Sequence, residues 1–225
     1  MTEELMEKLE VKEVFTIPLF GGIPVKESVV VTWIIMAVFI VLAIVMTRGL
    51  RTNNISKRQA FLEWMVTKLD GIVGGMVGGH AKAFGEYLTT VLLYIGFANI
   101  VGIFGLKSPT KDLSVTIALA VMSIVLVEAA GIYFLGLKKH LHKFIEPMPV
   151  VLPINLLELV TKPLSLCMRL FGNVMGAFVI MALLEILVPI GIPMVFSLYF
   201  DFFDGLLQAY VFVFLTGLYI TEAVE

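Results

Sequence analysis

Cysteine is nearly absent. Cys167 stands alone among 225 residues, which excludes an intrachain disulfide framework. Histidine is almost as scarce: His80, His140 and His142 are the three. The close pair would point to different faces of a helix, so no zinc-binding set, and no metal or cofactor, is expected. Charge is thin as well. It covers 15% of residues with a net of −2, against about 25% in an ordinary soluble domain, and that balance supplies no field for nucleic acid. There is no GxxxxGKS/T and no GxGxxG following a strand. The glycine cluster GIVGGMVGGH, Gly71 to His80, lacks the Lys-Ser/Thr pair of a phosphate cradle. It reads as a helix end and flexible connection, and nucleotide chemistry is expected on another chain. The acidic start MTEELMEKLEVKEV has no basic n-region, so no signal peptide is expected.

What fills the sequence instead is apolar: 59% of residues are hydrophobic and mean hydropathy is +0.99. With several runs long enough to cross a bilayer, the composition implies an all-α polytopic membrane protein. An N-terminal tail, 1–28, precedes a single integral membrane domain, 29–225. The first span is 29–47. In 55–77 the apolar residues Ile55, Leu62, Met65, Leu69, Ile72 and Met76 recur at helical spacing among charges, which predicts an amphipathic helix on the membrane surface. Spans follow at 84–106 and 113–137, a hairpin joined by the turn-like KSPTKD. Two long segments, 153–188 and 194–222, are separated by VPIGIP. Five crossings result. The basic stretches after the first span and at Lys138 to Lys143 place those connections in the cytoplasm, so the N-terminus is expected outside and the C-terminus inside.

The last two segments carry polar stripes. On a helix advancing about 100° per residue, Glu158, Lys162, Ser165 and Asn173 fall within about 40° of Arg169. From Gln208 a similar line runs back to Asp204 and Asp201 and forward to Tyr219 and Glu222. The segments run antiparallel, so the stripes can face each other or a shared partner. A straight helix of about 35 residues is about 52 Å long, against about 30 Å of hydrocarbon, and must tilt strongly. A break at Pro163 is the alternative. Arg169 is the costly residue: a central arginine costs about 2.5–3.5 kcal/mol to insert and cannot shed its proton. Snorkelling, or pairing with Glu185, would be a structural use. A charge held for an ion path or an anionic group is the functional one.

The stretch PINLLELVTKPLSLCMRLFGNVMGAFVI resembles the most diagnostic segment of the subunit a family of bacterial F-type ATP synthases, with MRLFGN at its centre. PTKDLSVTIALAV and LLQAYVFVFLTGLYITEA resemble the preceding and last helices of that family. The resemblance implies a non-catalytic stator in the bacterial plasma membrane, associated with peripheral-stalk b subunits and facing a rotating ring of c subunits that bear membrane carboxylates. In that family the arginine in the place of Arg169 meets the ring carboxylate and separates two aqueous half-channels. The resemblance also implies roles for Asn173 and Gln208 beside the arginine, and for Ser165, Asn155 and Glu158 on the cytoplasmic side. Tyr219 lies on the last helix's polar line. One departure stands out. Many relatives have glutamate where this sequence has Phe178, which leaves the outer path to Asp201 and Asp204. Glu128 is unusual too, either a further path residue or half of a local pair. Two other readings compete: a self-contained transporter binding an anionic substrate at Arg169, disfavoured by the lack of an internal repeat, and a membrane enzyme, which would need a nucleophile–base or metal cluster.

Overall fold

A computed structural model describes residues 13–17, 23–51, 55–77, 81–104, 107–143, 152–188 and 191–224. Among them, five helices are long and apolar enough to cross a membrane: Glu27–Thr47, Phe84–Ile103, Leu113–Leu135, Leu152–Leu187 and Val195–Val224. The chain is an all-α polytopic membrane protein. In order, the elements are β1 (Glu13–Ile17), β2 (Ile23–Lys26), α1 (Glu27–Thr47), α2 (Lys57–Val77), α3 (Ala81–Ile100), α4 (Leu113–Leu135), α5 (Leu137–Lys143), α6 (Leu152–Leu187), α7 (Ile192–Ser197) and α8 (Gly205–Val224).

Lipid tails are as apolar as leucine, so burial of greasy side chains does not by itself drive these helices together; close packing at small residues does. The core follows that rule. Phe212, Val213 and Ile220 of α8 pack with Leu88 and Ile95 of α3, Ala120 and Ala130 of α4, Leu166 and Leu170 of α6, and Val73 and Val77 of α2. Gly205 lets α8 reach Asn99 of α3: a Cβ there would lie 2.7 Å from the Asn99 Cβ. At Gly217 a Cβ would lie 3.2 Å from Cγ2 of Val77. By contrast, α1 presents Ile40, Val41, Ile44 and Val45 outward, as a helix clad in lipid does.

The structure sharpens several sequence expectations and corrects others. Within the tail, β1 and β2 pair antiparallel. The glycine cluster is helix as far as Val77; its remainder, 78–80, lies outside the described residues. Gly71, Gly74 and Gly75 stay helical because Val73 and Val77, both buried, are fastened in the core; packing overrides the poor helix propensity of glycine. The basic stretch Lys138 to Lys143 is the short helix α5, set off from α4 by Gly136 at φ +77°. Pro163 does not end α6, which runs unbroken for 36 residues, about 54 Å of helix. The final segment is not one α-helix. Leu198–Asp204 is a π-helical stretch between α7 and α8, so a constant 100° phase does not apply to Asp201 and Asp204.

Asp112 ties the start of α4 to α1. Its side chain caps α4 by accepting from the Ser114 N–H at 3.0 Å, accepts from the Ser28 hydroxyl at 2.7 Å and lies 3.5 Å from the Lys26 ammonium. Burial pushes its pKa upward, but the bonds from Ser28 and Ser114 and the Lys26 charge outweigh that and hold it below the usual carboxylate range. Its stabilisation is therefore complete above an unfolded-state pKa of about 3.9 and fades as pH falls through the lower folded value. Asp112→Ala is expected to cost about 1–3 kcal/mol, read as a lower Tm in detergent at pH 7, with the gap to the unsubstituted chain closing in strong acid.

Candidate functional site

The stripes of α6 and α8 face each other. Near the middle, Asn173 Nδ2 donates to Gln208 Oε1 at 2.7 Å. Toward the end of α8, Lys162 donates to Glu222 at 2.8 Å and lies 3.4 Å from Glu158 one turn earlier on α6. The Lys162 ammonium also stands 5.4 Å from the centroid of the Tyr219 ring. The antiparallel course of the helices makes both pairs possible: moving up α6 from Lys162 to Asn173 means moving down α8 from Glu222 to Gln208.

Two polar cavities flank this seam. The first, about 480 Å³, is lined on α6 by Asn155, Glu158, Leu159 and Lys162, and elsewhere by Glu128, His140, Lys143 and Glu222. The second, about 390 Å³, is lined on α6 from Val174 to Glu185 and also by Asn99, Lys111, Ser197, Asp201 and Asp204. In the second, Ser197 Oγ donates to Asp201 at 2.7 Å. Gly102 makes room for that carboxylate, because a Cβ there would lie 2.9 Å from Asp201 Oδ1. A buried chain of bonds forms its wall: Thr110 Oγ1 donates to Asn99 Oδ1 at 2.6 Å, and Asn99 Nδ2 donates to the Gly205 carbonyl at 3.0 Å.

Phe178, where a carboxylate was expected from relatives, has a positive neighbour. The Lys111 ammonium sits 3.8 Å from the centroid of its ring, a cation–π arrangement. Burial pulls the Lys111 pKa below the usual lysine range; Asp201 and Glu185 oppose this, and Lys107 adds to it. Glu185 therefore belongs with Lys111 at the second cavity. It does not pair with Arg169, which lies 16 positions back on α6, about 24 Å along the axis.

Arg169 falls in the gap. It is exposed, lines neither cavity, and has no hydrogen bond or ion pair among the described residues. On α6 the first cavity stops at Lys162 and the second starts at Val174, so Arg169 is about 10 Å of helix from one and about 8 Å from the other. Gly172 and Gly176 stand exposed within about 60° of it, and α6 also exposes Leu157, Val160, Leu164 and Met168 on its adjoining faces. Of the 36 residues of α6 only Leu166, Cys167, Leu170 and Ala182 are buried, against eight of the 20 residues of α8, so α6 has a whole flank that no described part of the chain covers.

The expected residues are thus partly gathered. Asn155 and Glu158 line the first cavity, Asp201 and Asp204 the second, and Asn173 with Gln208 the bridge between. Ser165 is exposed on the Arg169 flank and lines neither cavity, and Tyr219 supports Lys162. Asn99, Lys111 and His140 were not anticipated. Each lies on another element, and no spacing within one helix could have brought them in.

The ATP synthase A chain family matches residues 29–221. The chain belongs to that family. A subunit a described as sodium ion specific, from Propionigenium modestum, is 32% identical over 90% of this chain and 75% of its own length. Subunit a of Moorella thermoacetica is 34% identical over 91% and 94%, and subunit a 1 of Hahella chejuensis is 34% identical over 91% and 87%. As a member of the ATP synthase A chain family, the protein is a non-catalytic, multi-pass membrane subunit of the ATP synthase complex. Gln208 is 2% exposed, so Gln208→Leu strands the Asn173 donor. That variant is expected to lower Tm by an amount worth about 1–3 kcal/mol, and much of the loss should vanish in the Asn173→Leu background.

Proposed function

We propose that this subunit is the ion-translocating stator of an F-type ATP synthase, with the two cavities as half-channels. The observation that carries the reading is the position of Arg169, on an uncovered flank of α6 in the interval between two polar cavities. The bare flank is where a ring of c subunits packs, each with a membrane carboxylate. Peripheral-stalk b subunits and lipid cover other surfaces. The complex sits in the bacterial plasma membrane with the N-terminus of this chain outside and its C-terminus in the cytoplasm. The first cavity then opens to the cytoplasm and the second to the outside.

The physics of such a site is simple. A cation within about 4–6 Å lowers a carboxylate pKa by about 1–3 units, worth roughly 1.4–4 kcal/mol. A ring carboxylate arriving at Arg169 therefore gives up its proton or sodium ion to one cavity, and takes another from the second cavity as it leaves. Carboxylates away from the guanidinium face lipid and stay neutral. The fixed charge also repels a cation crossing directly between cavities. Each such leak forfeits about 2.3 kcal/mol per 100 mV.

Arg169→Lys is expected to abolish ATP synthesis by the reconstituted complex while assembly persists, because a point ammonium lacks the planar fork of guanidinium. Wild-type coupling in that variant would defeat the proposal. Asp201→Asn is expected to slow ion entry from outside, and unchanged ATP-driven pumping would remove Asp201 from the path. Copurification of ring subunits in mild detergent separates this function from that of a self-contained transporter. ATP synthesis under a proton gradient, with and without sodium, identifies the ion.

A further inference from the structure

Glu128 and His140 form a built pair that neither the stripe nor the family assignment explains. Imidazole Nε2 lies 2.8 Å from Glu128 Oε2, His140 is only 5% exposed, and both line the first cavity. Two glycines make the pair possible. Gly136, at φ +77°, turns the chain so that α5 folds back along the end of α4. At Gly131 a Cβ would lie 2.5 Å from both Cε1 and Nδ1 of the imidazole, so only a bare backbone leaves space for the ring. Glu128, Gly131, Gly136 and His140 together seat one imidazole against one carboxylate at the first cavity.

A charged latch between α4 and α5 would not need an imidazole; a lysine would do. Nor would it need to face a cavity. Imidazole is the side chain whose ordinary proton exchange falls between about pH 5 and 8, the range of the compartment into which this cavity opens under the proposed function. The other charged groups at the same cavity are engaged elsewhere: Lys162 with Glu158 and Glu222, and Lys143 with the backbone carbonyl of Glu222.

We infer that Glu128 and His140 are a proton-exchange relay at the cytoplasmic half-channel. The inference rests on the stator function above. A proton released near Arg169 crosses the cavity on water and enters the pair at the Glu128 carboxylate, the more exposed partner, which hands it across the Nε2 contact to neutral imidazole, leaving imidazolium opposite the carboxylate. It then passes to water on the cytoplasmic side, and the pair returns to its starting state with no proton consumed. In ATP-driven pumping the same steps run in reverse.

The test is ATP-driven proton pumping by the whole complex in liposomes, with the nucleotide-binding face outward and outer pH varied across about 5 to 9. ATPase activity of the detached soluble sector is recorded at each pH to normalise the rates. The unsubstituted complex is expected to show a pumping limb in the imidazole range. His140→Gln should remove that limb and slow pumping several-fold at neutral pH, and added free imidazole should restore part of the rate. Glu128→Gln, which keeps shape and removes charge, should alter the limb while the complex still assembles. His140→Lys, which preserves an ion pair, should assemble and still lack the limb. If the profiles of His140→Gln and His140→Lys superimpose on that of the unsubstituted complex, the pair is only a latch and the relay is wrong. Arg169→Lys in the same assay keeps the two claims apart: normal pumping there overturns the stator function itself, whereas loss of pumping there with unchanged His140 profiles overturns the relay alone.

Discussion

A guanidinium that cannot lose its proton, held on a lipid-facing helix with no ion pair to an acid among the described residues, is the constraint around which this structure is arranged. Insertion of Arg169 costs about 2.5–3.5 kcal/mol, and the described residues return none of it as an ion pair. Such a charge persists where water or a passing anion reaches it. The two cavities approach it from either side along α6 without meeting. The α6–α8 seam keeps them apart, bridged by Asn173 and Gln208 at one level and by Lys162 and Glu222 at another.

The scaffold keeps that seam stiff by means suited to lipid. Small residues bring backbones close at Gly205 and Gly217, and buried polar links replace hydrophobic drive. The Ser108–Thr110–Asn99 chain ends on the Gly205 carbonyl and fixes the turn before α4 to the start of α8. The same turn carries Lys111, whose ammonium rests on Phe178. The second cavity therefore carries positive charge on a loop beside an aromatic ring on α6, with its carboxylates, Asp201 and Asp204, on the π-helical stretch before α8. A π-turn displaces side chains from α-helical phase, and here it still brings both aspartates to the cavity wall.

What the sequence made legible was whatever lives on one helix. The run from Val29 is apolar over a full span, and the stripe around Arg169 and the line from Gln208 to Glu222 are periodic, and periodicity survives folding because the helix preserves it. Chain direction alone made the two segments antiparallel and left the stripes free to face each other or a shared partner; the Asn173–Gln208 and Lys162–Glu222 contacts show that they face each other. Contacts between elements were not legible. Nothing local says that Val73 and Val77 would hold a glycine-rich stretch in helix, that Gly131 is vacant to admit His140, or that Lys111 would lie on Phe178. The π-helical stretch inside the last segment was missed for a related reason: a π-turn has no sequence period of its own, and apolar residues continue through it. The carboxylate on another chain is part of the proposed function, and it rests on the family resemblance alone.

The central claim is that Arg169 is the barrier between two otherwise open half-channels, and passive conductance tests it most directly. The membrane sector, stripped of its soluble part and with its ring covalently locked to this subunit, is placed under a membrane potential and ion flux is recorded. With Arg169 intact, the locked sector is expected to be tight. With Arg169→Ala it is expected to leak, as ions pass between the cavities without rotation. A locked Arg169→Ala sector as tight as the unsubstituted one would contradict the account.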